Sequence, residues 1–176
     1  LSFNDLDKYR LNFSYVPQKV FFLEASIKEN IAFGTVFNKK KKINLDKILL
    51  DSELQELVAK LPSGLDTLLS DDKQIVSGGQ KQCIAIARAL MRGGNILILD
   101  EATSAMDTVL EKNIYKSIFK SNFSTIIAVT HKPSILKEFD KIYVFREGMI
   151  EGSGSFEYLS KNNKYFINML EDYSSE

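Results

Sequence analysis

An α/β fold with a parallel sheet is predicted by two apolar runs and one glycine-marked helix start. The run Ile96-Leu97-Ile98-Leu99, closed by Asp100-Glu101, suits a strand buried on both faces, and strands of that kind belong to parallel sheets. Thr125-Ile126-Ile127-Ala128-Val129-Thr130 is a second apolar β-run. Ser77-Gly78-Gly79-Gln80 stands just ahead of the helical pattern Ile84 to Leu90, which makes a helix N-terminus with backbone N–H groups facing outward.

The remaining elements follow in chain order. Leu11 to Val16 alternates enough for a strand, and Ser26 caps a short helix through Ile31 that Gly34 ends. Asn44 caps helices spanning Leu45 to Lys60, behind a basic run, Lys39 to Lys42, that reads as a solvated loop. Pro62-Ser63-Gly64 breaks the helical stretch. Asp107 caps a helix to about Phe119, with Val109, Ile114 and Ile118 expected inward. Lys141 to Arg146 and Met149 to Glu151 form a hairpin turning at Glu147-Gly148. Ser155 caps a further helix, and the tail continues as helix before fraying at Ser174-Ser175-Glu176.

Composition narrows the function classes. A length of 176 residues suits one domain, and 44% hydrophobic content is enough for a core. With 23 basic and 23 acidic residues there is no net field to attract nucleic acid, so no nucleic-acid partner is expected. One cysteine, Cys83, rules out an internal disulfide and is expected to serve packing. No apolar stretch approaches the roughly 20 residues of a membrane-spanning helix, and no signal peptide is visible.

Two segments carry chemistry. The helix N-terminus at Ser77 to Gln80 suits an anion, although Ser77 with Gln80 three residues on also matches a capping box in which the glycines only permit close packing. In open α/β sheets ligands sit beyond the carboxyl ends of the strands, where Asp100 and Glu101 fall. Asp100 is a candidate Mg²⁺ ligand through the metal's water shell, and Glu101 a candidate general base for water. Adjacent acids after a strand also cap helices or face solvent. His131, the single histidine, follows the second apolar run and precedes Lys132-Pro133, which places it at a strand end beside the same crevice.

Taken in order with Gln18, Ser104-Ala105-Met106-Asp107 and His131, these segments resemble the nucleotide-binding domain of ATP-binding cassette (ABC) transporters. Val76 to Gln80 resembles the signature motif, Ile96 to Glu101 the Walker B strand with its catalytic glutamate, and Ser104 to Asp107 the D-loop. Tyr15-Val16-Pro17-Gln18 resembles the Q-loop, and His131 the switch histidine. The resemblance implies a P-loop-NTPase-like parallel sheet core with a helical signature subdomain at about 26–92, the chain as a whole (1–176) being the C-terminal portion of such a domain. It also implies ATP and Mg²⁺, with two domains sandwiching nucleotide head to tail. Ser77, Gly78, Gly79 and Gln80 would then reach the γ-phosphate bound by the partner, Ser104, Ala105 and Asp107 would form the D-loop, Glu101 would polarise water, Asp100 would hold Mg²⁺, and Gln18 would reach metal and water.

Phe21-Phe22-Leu23, Ser26 to Ile31 and Leu61 to Thr67 are similar to the exporter class, in which a transmembrane domain is fused upstream on the same polypeptide. The implied setting is the cytoplasmic face of a membrane, the bacterial inner membrane, with a homodimer as the expected assembly. Asn30 to Gly34 and Asp140 to Tyr143 resemble flippases of lipid or lipid-linked oligosaccharide. A soluble ABC ATPase and a nonenzymatic dimerising ABC domain share the central motifs and are the alternatives.

Against the family pattern, Asp71 stands where a glutamate is usual, Val76 and Met106 replace leucines, and Gly93-Gly94 replaces a proline-containing turn. The P-loop pattern Gly-x-x-x-x-Gly-Lys-Ser/Thr occurs nowhere in these residues. An N-terminally incomplete sequence is therefore expected, and the chain alone should bind ATP poorly and hydrolyse it negligibly.

Overall fold

The computed structural model describes residues 6, 9–35, 44–70 and 75–174; the basic run at Lys39 to Lys42, the segment containing Asp71, and two of the three residues expected to fray, Ser175 and Glu176, lie outside them, whereas the third, Ser174, is still helical. The chain packs as two compact units, Leu1–Val129 and Thr130–Glu176.

Unit one is built on a parallel sheet of β1 (Phe13–Val16), β2 (Ile96–Asp100) and β3 (Thr125–Val129), in that order. The strands start together because Asn12 O accepts the N–H groups of Asn95 and Ile96, both at 2.9 Å, and Asn95 O accepts those of Ser124 and Thr125 at 2.8 and 3.1 Å. Gly94, at φ +121°, permits this entry: a Cβ there would lie 2.8 Å from Asn12 O. Aligned starts in strands of similar length also align the carboxyl ends, which is where the site forms.

Helix α4 (Gly78–Arg92) covers one face of the sheet. Ser14, Val16, Leu97 and Leu99 share that face and are buried, and the Ser14 hydroxyl donates to Ala89 O at 3.1 Å. The expectation that Ile96 to Leu99 is buried on both faces needs correction. Its second face, with Ile96 and Ile98, is half-buried, and the neighbouring Ile127 and Val129 on β3 are 49% and 53% exposed. The strand is central in hydrogen bonding, but only one face is fully covered.

Three short helices precede α4 in the chain. Helix α1 (Ile27–Ala32) starts at a Ser26/Glu29 capping box, α2 (Leu45–Asp51) is capped by Asn44, and α3 (Gln55–Lys60) follows a break at Glu53, whose φ is +57°. A 3₁₀ turn at Gly64–Asp66 follows Pro62-Ser63. Arg88 joins these parts: its Nε donates to Asn30 O at 2.8 Å, its terminal nitrogens donate to Phe21 O at 3.1 Å and Asn30 Oδ1 at 3.3 Å, and its guanidinium lies over the Phe22 and Phe33 rings. Burial lowers the Arg88 pKa.

Helix α5 (Thr108–Phe119) is capped by Asp107, which accepts from the Val109 and Leu110 N–H groups. Its buried residues are Glu111, Ile114, Tyr115 and Ile118, whereas Val109, expected inward, is 70% exposed. At about 3.6 residues per turn, a residue five positions before Ile114 falls well round the helix from the buried stripe.

Unit two contains a 3₁₀ segment (Pro133–Glu138), the hairpin β4 (Ile142–Arg146) and β5 (Met149–Gly154), and helices α6 (Phe156–Asn162) and α7 (Lys164–Ser174). Glu147 and Gly148, at φ +50° and +78°, make the expected turn. Ser155 caps α6 as expected, and Asn163 separates it from α7. Leu136, Ile142, Val144, Leu159 and Phe166 form a core of its own.

Candidate active site

The carboxyl ends of β1 and β2 bring two pairs of groups together. Tyr15 pairs in register with Ile98, so its side chain shares a face with Asp100 two residues on, and its hydroxyl donates to Asp100 Oδ2 at 3.0 Å. That acceptor raises the Tyr15 pKa. Just past β1, Gln18 donates through Nε2 to Glu101 Oε2. Glu101 is the first residue beyond β2 and takes φ +46°, a left-handed conformation uncommon outside glycine. Its N–H donates to Val129 O at 2.9 Å, and its carbonyl accepts from Ser104 N–H at 3.1 Å. A strained residue held at both its amide and its carbonyl is a mark of functional sites.

Downstream, the segment 102–107 turns against α4. Ala102 and Thr103 are buried, and the Thr103 hydroxyl donates to Glu111 Oε1 at 2.6 Å, with Glu111 itself 1% exposed. Gln82 donates through Nε2 to Ser104 Oγ at 3.0 Å, and its Oε1 accepts the Ala105 N–H at 3.0 Å.

The start of α4 takes the capping-box form that its sequence allows. Ser77 Oγ accepts the Gln80 N–H and Gln80 Oε1 accepts the Ser77 N–H, which is the capping box. A Cβ at Gly79 would stand 3.0 Å from Ala105 O, and one at Gly78 would stand 3.3 Å from Ala105 Cβ, so the glycines do permit close packing. Helix geometry still leaves the Gly78 and Gly79 N–H groups without an acceptor inside the helix, beside an exposed Ser77.

His131 is exposed and belongs to unit two, two residues beyond the end of β3 in the chain. The other predicted residues, Gln18, Asp100, Glu101, Ser77 to Gln80 and Ser104 to Asp107, all lie in unit one. Cys83 is 2% exposed, and burial pushes its thiol up to about 12, in keeping with a packing role.

A family profile described as ABC transporter matches residues 1–104. The chain belongs to the ABC transporter family. It is 36% identical over 94% of its length to the ABC multidrug transporter mdr1 of Aspergillus fumigatus, of which it covers 12%. It is 40% identical over 88% of its length to the heterocyst differentiation ATP-binding protein HepA of Nostoc sp., of which it covers 25%. A bacterial Atm1-family ABC exporter solved with ATP bound superimposes with a TM-score of 0.85 and 30% identity, over 95% of this chain and 29% of that one. The chain thus spans from about an eighth to a quarter of the length of these curated relatives.

Within this ABC chain the fold is P-loop-NTPase-like, as the motif order implied. Among the described residues no helix is long and apolar enough to cross a membrane, and no group of three or more His, Cys, Asp and Glu side chains could enclose a metal ion. Mg²⁺ needs no such cage, since it keeps several waters and takes one or two carboxylates besides substrate phosphates. Asp100, half-buried at a strand end and steadied through one oxygen by Tyr15, fits that use.

Three contributors were not foreseen from sequence. Tyr15 lay within the quoted Q-loop segment, and its register opposite Ile98 only the sheet reveals. Gln82 and Glu111 are polar residues on the buried stripes of helices, and a polar residue at an apolar position is the signal that could have found them.

Proposed function

We propose that this chain is the ATP-hydrolysing portion of an ABC exporter. The observation that carries the reading is the convergence of Gln18 with Glu101, and of Tyr15 with Asp100, at the carboxyl ends of neighbouring parallel strands. Glu101 serves as general base for the water that attacks the γ-phosphate, with Gln18 holding its carboxylate. Asp100 holds Mg²⁺, which would neutralise charge on the transferring phosphoryl group, and His131 contacts the γ-phosphate. Ser77, Gly78, Gly79 and Gln80 act in trans, their helix end facing nucleotide bound by the partner domain of a homodimer. Ser104, Ala105 and Asp107 line the same junction as the D-loop.

In this reading a transmembrane domain on the same polypeptide chooses the substrate, and the ATPase portion works at the cytoplasmic face of a membrane, the bacterial inner membrane. The substrate class proposed is lipid or lipid-linked oligosaccharide, on the resemblance of segments 30–34 and 140–143. The P-loop lysine and its cradle of N–H groups have no counterpart among these residues, so the chain alone is proposed to be inactive.

The test is ATP turnover by the complete protein carrying Glu101→Gln or His131→Ala. Each variant should retain nucleotide binding while kcat falls by about 100-fold or more, the usual range for loss of a general base at Glu101 or of a transition-state contact at His131. Wild-type turnover in Glu101→Gln would remove the general-base assignment.

A further inference from the structure

Gln82 is a primary amide 4% exposed within the apolar stripe of α4, a costly place for a polar group unless it is fully used. It is used on every side that points toward the segment after β2: Nε2 donates to Ser104 Oγ at 3.0 Å and lies 3.4 Å from Glu101 O, and Oε1 accepts the Ala105 N–H at 3.0 Å. One amide thus brackets residues 101 to 105. The same segment is pressed against the helix start, since Gly79 leaves only 3.0 Å between a built Cβ and Ala105 O. Buried Glu111 of α5 holds Thr103 of the same segment, accepting from its hydroxyl at 2.6 Å.

We propose that Gln82 is a positioning residue that makes the start of α4 and the strained Glu101 backbone one mechanical body. This rests on the ATPase reading and deepens it. The helix end Ser77 to Gln80 serves the partner's nucleotide, whereas Glu101 serves the chain's own. Through Gln82, displacement of the helix end carries the Glu101 main chain with it, so occupancy of the partner's site sets the aim of the base in this one. A left-handed glutamate is held by its surroundings rather than by its own preference, so it is sensitive to loss of such a brace.

The experiment is steady-state ATPase of the complete protein with Gln82→Met, which keeps length and burial but removes the amide. The expected result is a fall in kcat of about 100-fold, the cost of misplacing a catalytic group by about 1 Å, with KM for ATP within a factor of about two and a Hill coefficient reduced toward one. Thermal unfolding should be shifted little. A kcat within about threefold of wild type would overturn the proposal, as would kcat, KM and unfolding temperature all moving together, which marks a merely structural role. Should Gln82→Met fail to fold, Ser104→Ala removes the 3.0 Å contact from outside the helix, and an unchanged kcat and Hill coefficient there would overturn the proposal equally. Absence of turnover in the wild-type protein would refute the ATPase reading and this inference with it, whereas turnover that Gln82→Met leaves intact refutes the inference alone.

Discussion

Replacing Arg88 by lysine should loosen the first unit measurably while leaving its charge in place. Arg88 makes three hydrogen bonds, to Asn30 O, Phe21 O and Asn30 Oδ1, and lies 5.7 and 5.4 Å from the Phe22 and Phe33 ring centres. An ammonium on a flexible stem can keep one of those bonds but cannot reproduce the planar fork. None of the acceptors is left orphaned, because Asn30 Oδ1 still takes the Leu23 N–H at 2.9 Å, Asn30 O still takes the Phe33 N–H, and Phe21 is 71% exposed. The loss is therefore that of two bonds at about 1 kcal/mol net each, or about 2 kcal/mol for Arg88→Lys. Arg88→Met adds the third bond and both ring contacts, each of about 0.5–1 kcal/mol, for a total of about 4 kcal/mol. The assay is native-state hydrogen exchange of α4 amides, since a chain of two units need not unfold in one step. Arg88→Lys should exchange about 30-fold faster than wild type, and Arg88→Met faster still. Exchange in Arg88→Lys within a factor of about two of wild type would show that α1 and α4 are joined by apolar packing alone.

Two further outcomes follow from single atoms and single burials. Gly94→Ala places a methyl 2.8 Å from the Asn12 carbonyl at a φ of +121°, and strain with overpacking should cost about 2–4 kcal/mol, read as a lowered urea midpoint. Cys83 and Tyr115 are both pushed up to about 12 by burial, from ordinary values of 9.0 and 10.0. The folded state thus holds protons that the unfolded state releases, so the stabilisation is complete below about pH 9 and is lost as pH rises toward 12, by up to about 1.4 kcal/mol per pH unit for each group. Urea midpoints measured from pH 8 to 10.5 should fall, and Cys83→Ala should flatten the first part of that decline; a flat wild-type profile would contradict the burial argument.

The parts of the site that lie close together in the chain were legible because local chemistry dictates them. Ser77 with Gln80, Ser26 with Glu29, Asn44, Asp107 and Ser155 each cap the helix they precede, since a side chain one turn away is the nearest partner for an unpaired N–H. The Glu147-Gly148 turn was readable for the same reason, although β5 runs on to Gly154 where the sequence suggested Glu151.

By itself the sequence determined the main element types, the side-chain-capped helix starts, the parallel character of the central strand and the family whose motifs it carries in order. Tertiary structure alone decided which face of each element is covered. Only the packing of α4 on one face of the sheet leaves Ile127 and Val129 exposed and buries Gln82. Only the register of β1 on β2 sets Tyr15 on Asp100, and only the turn after β2 brings Gln18 to Glu101 across 83 residues of chain. Caps and turns are settled by atoms a few bonds apart, whereas faces, registers and bonds across the chain depend on which distant segment arrives, and that is a property of the packed whole.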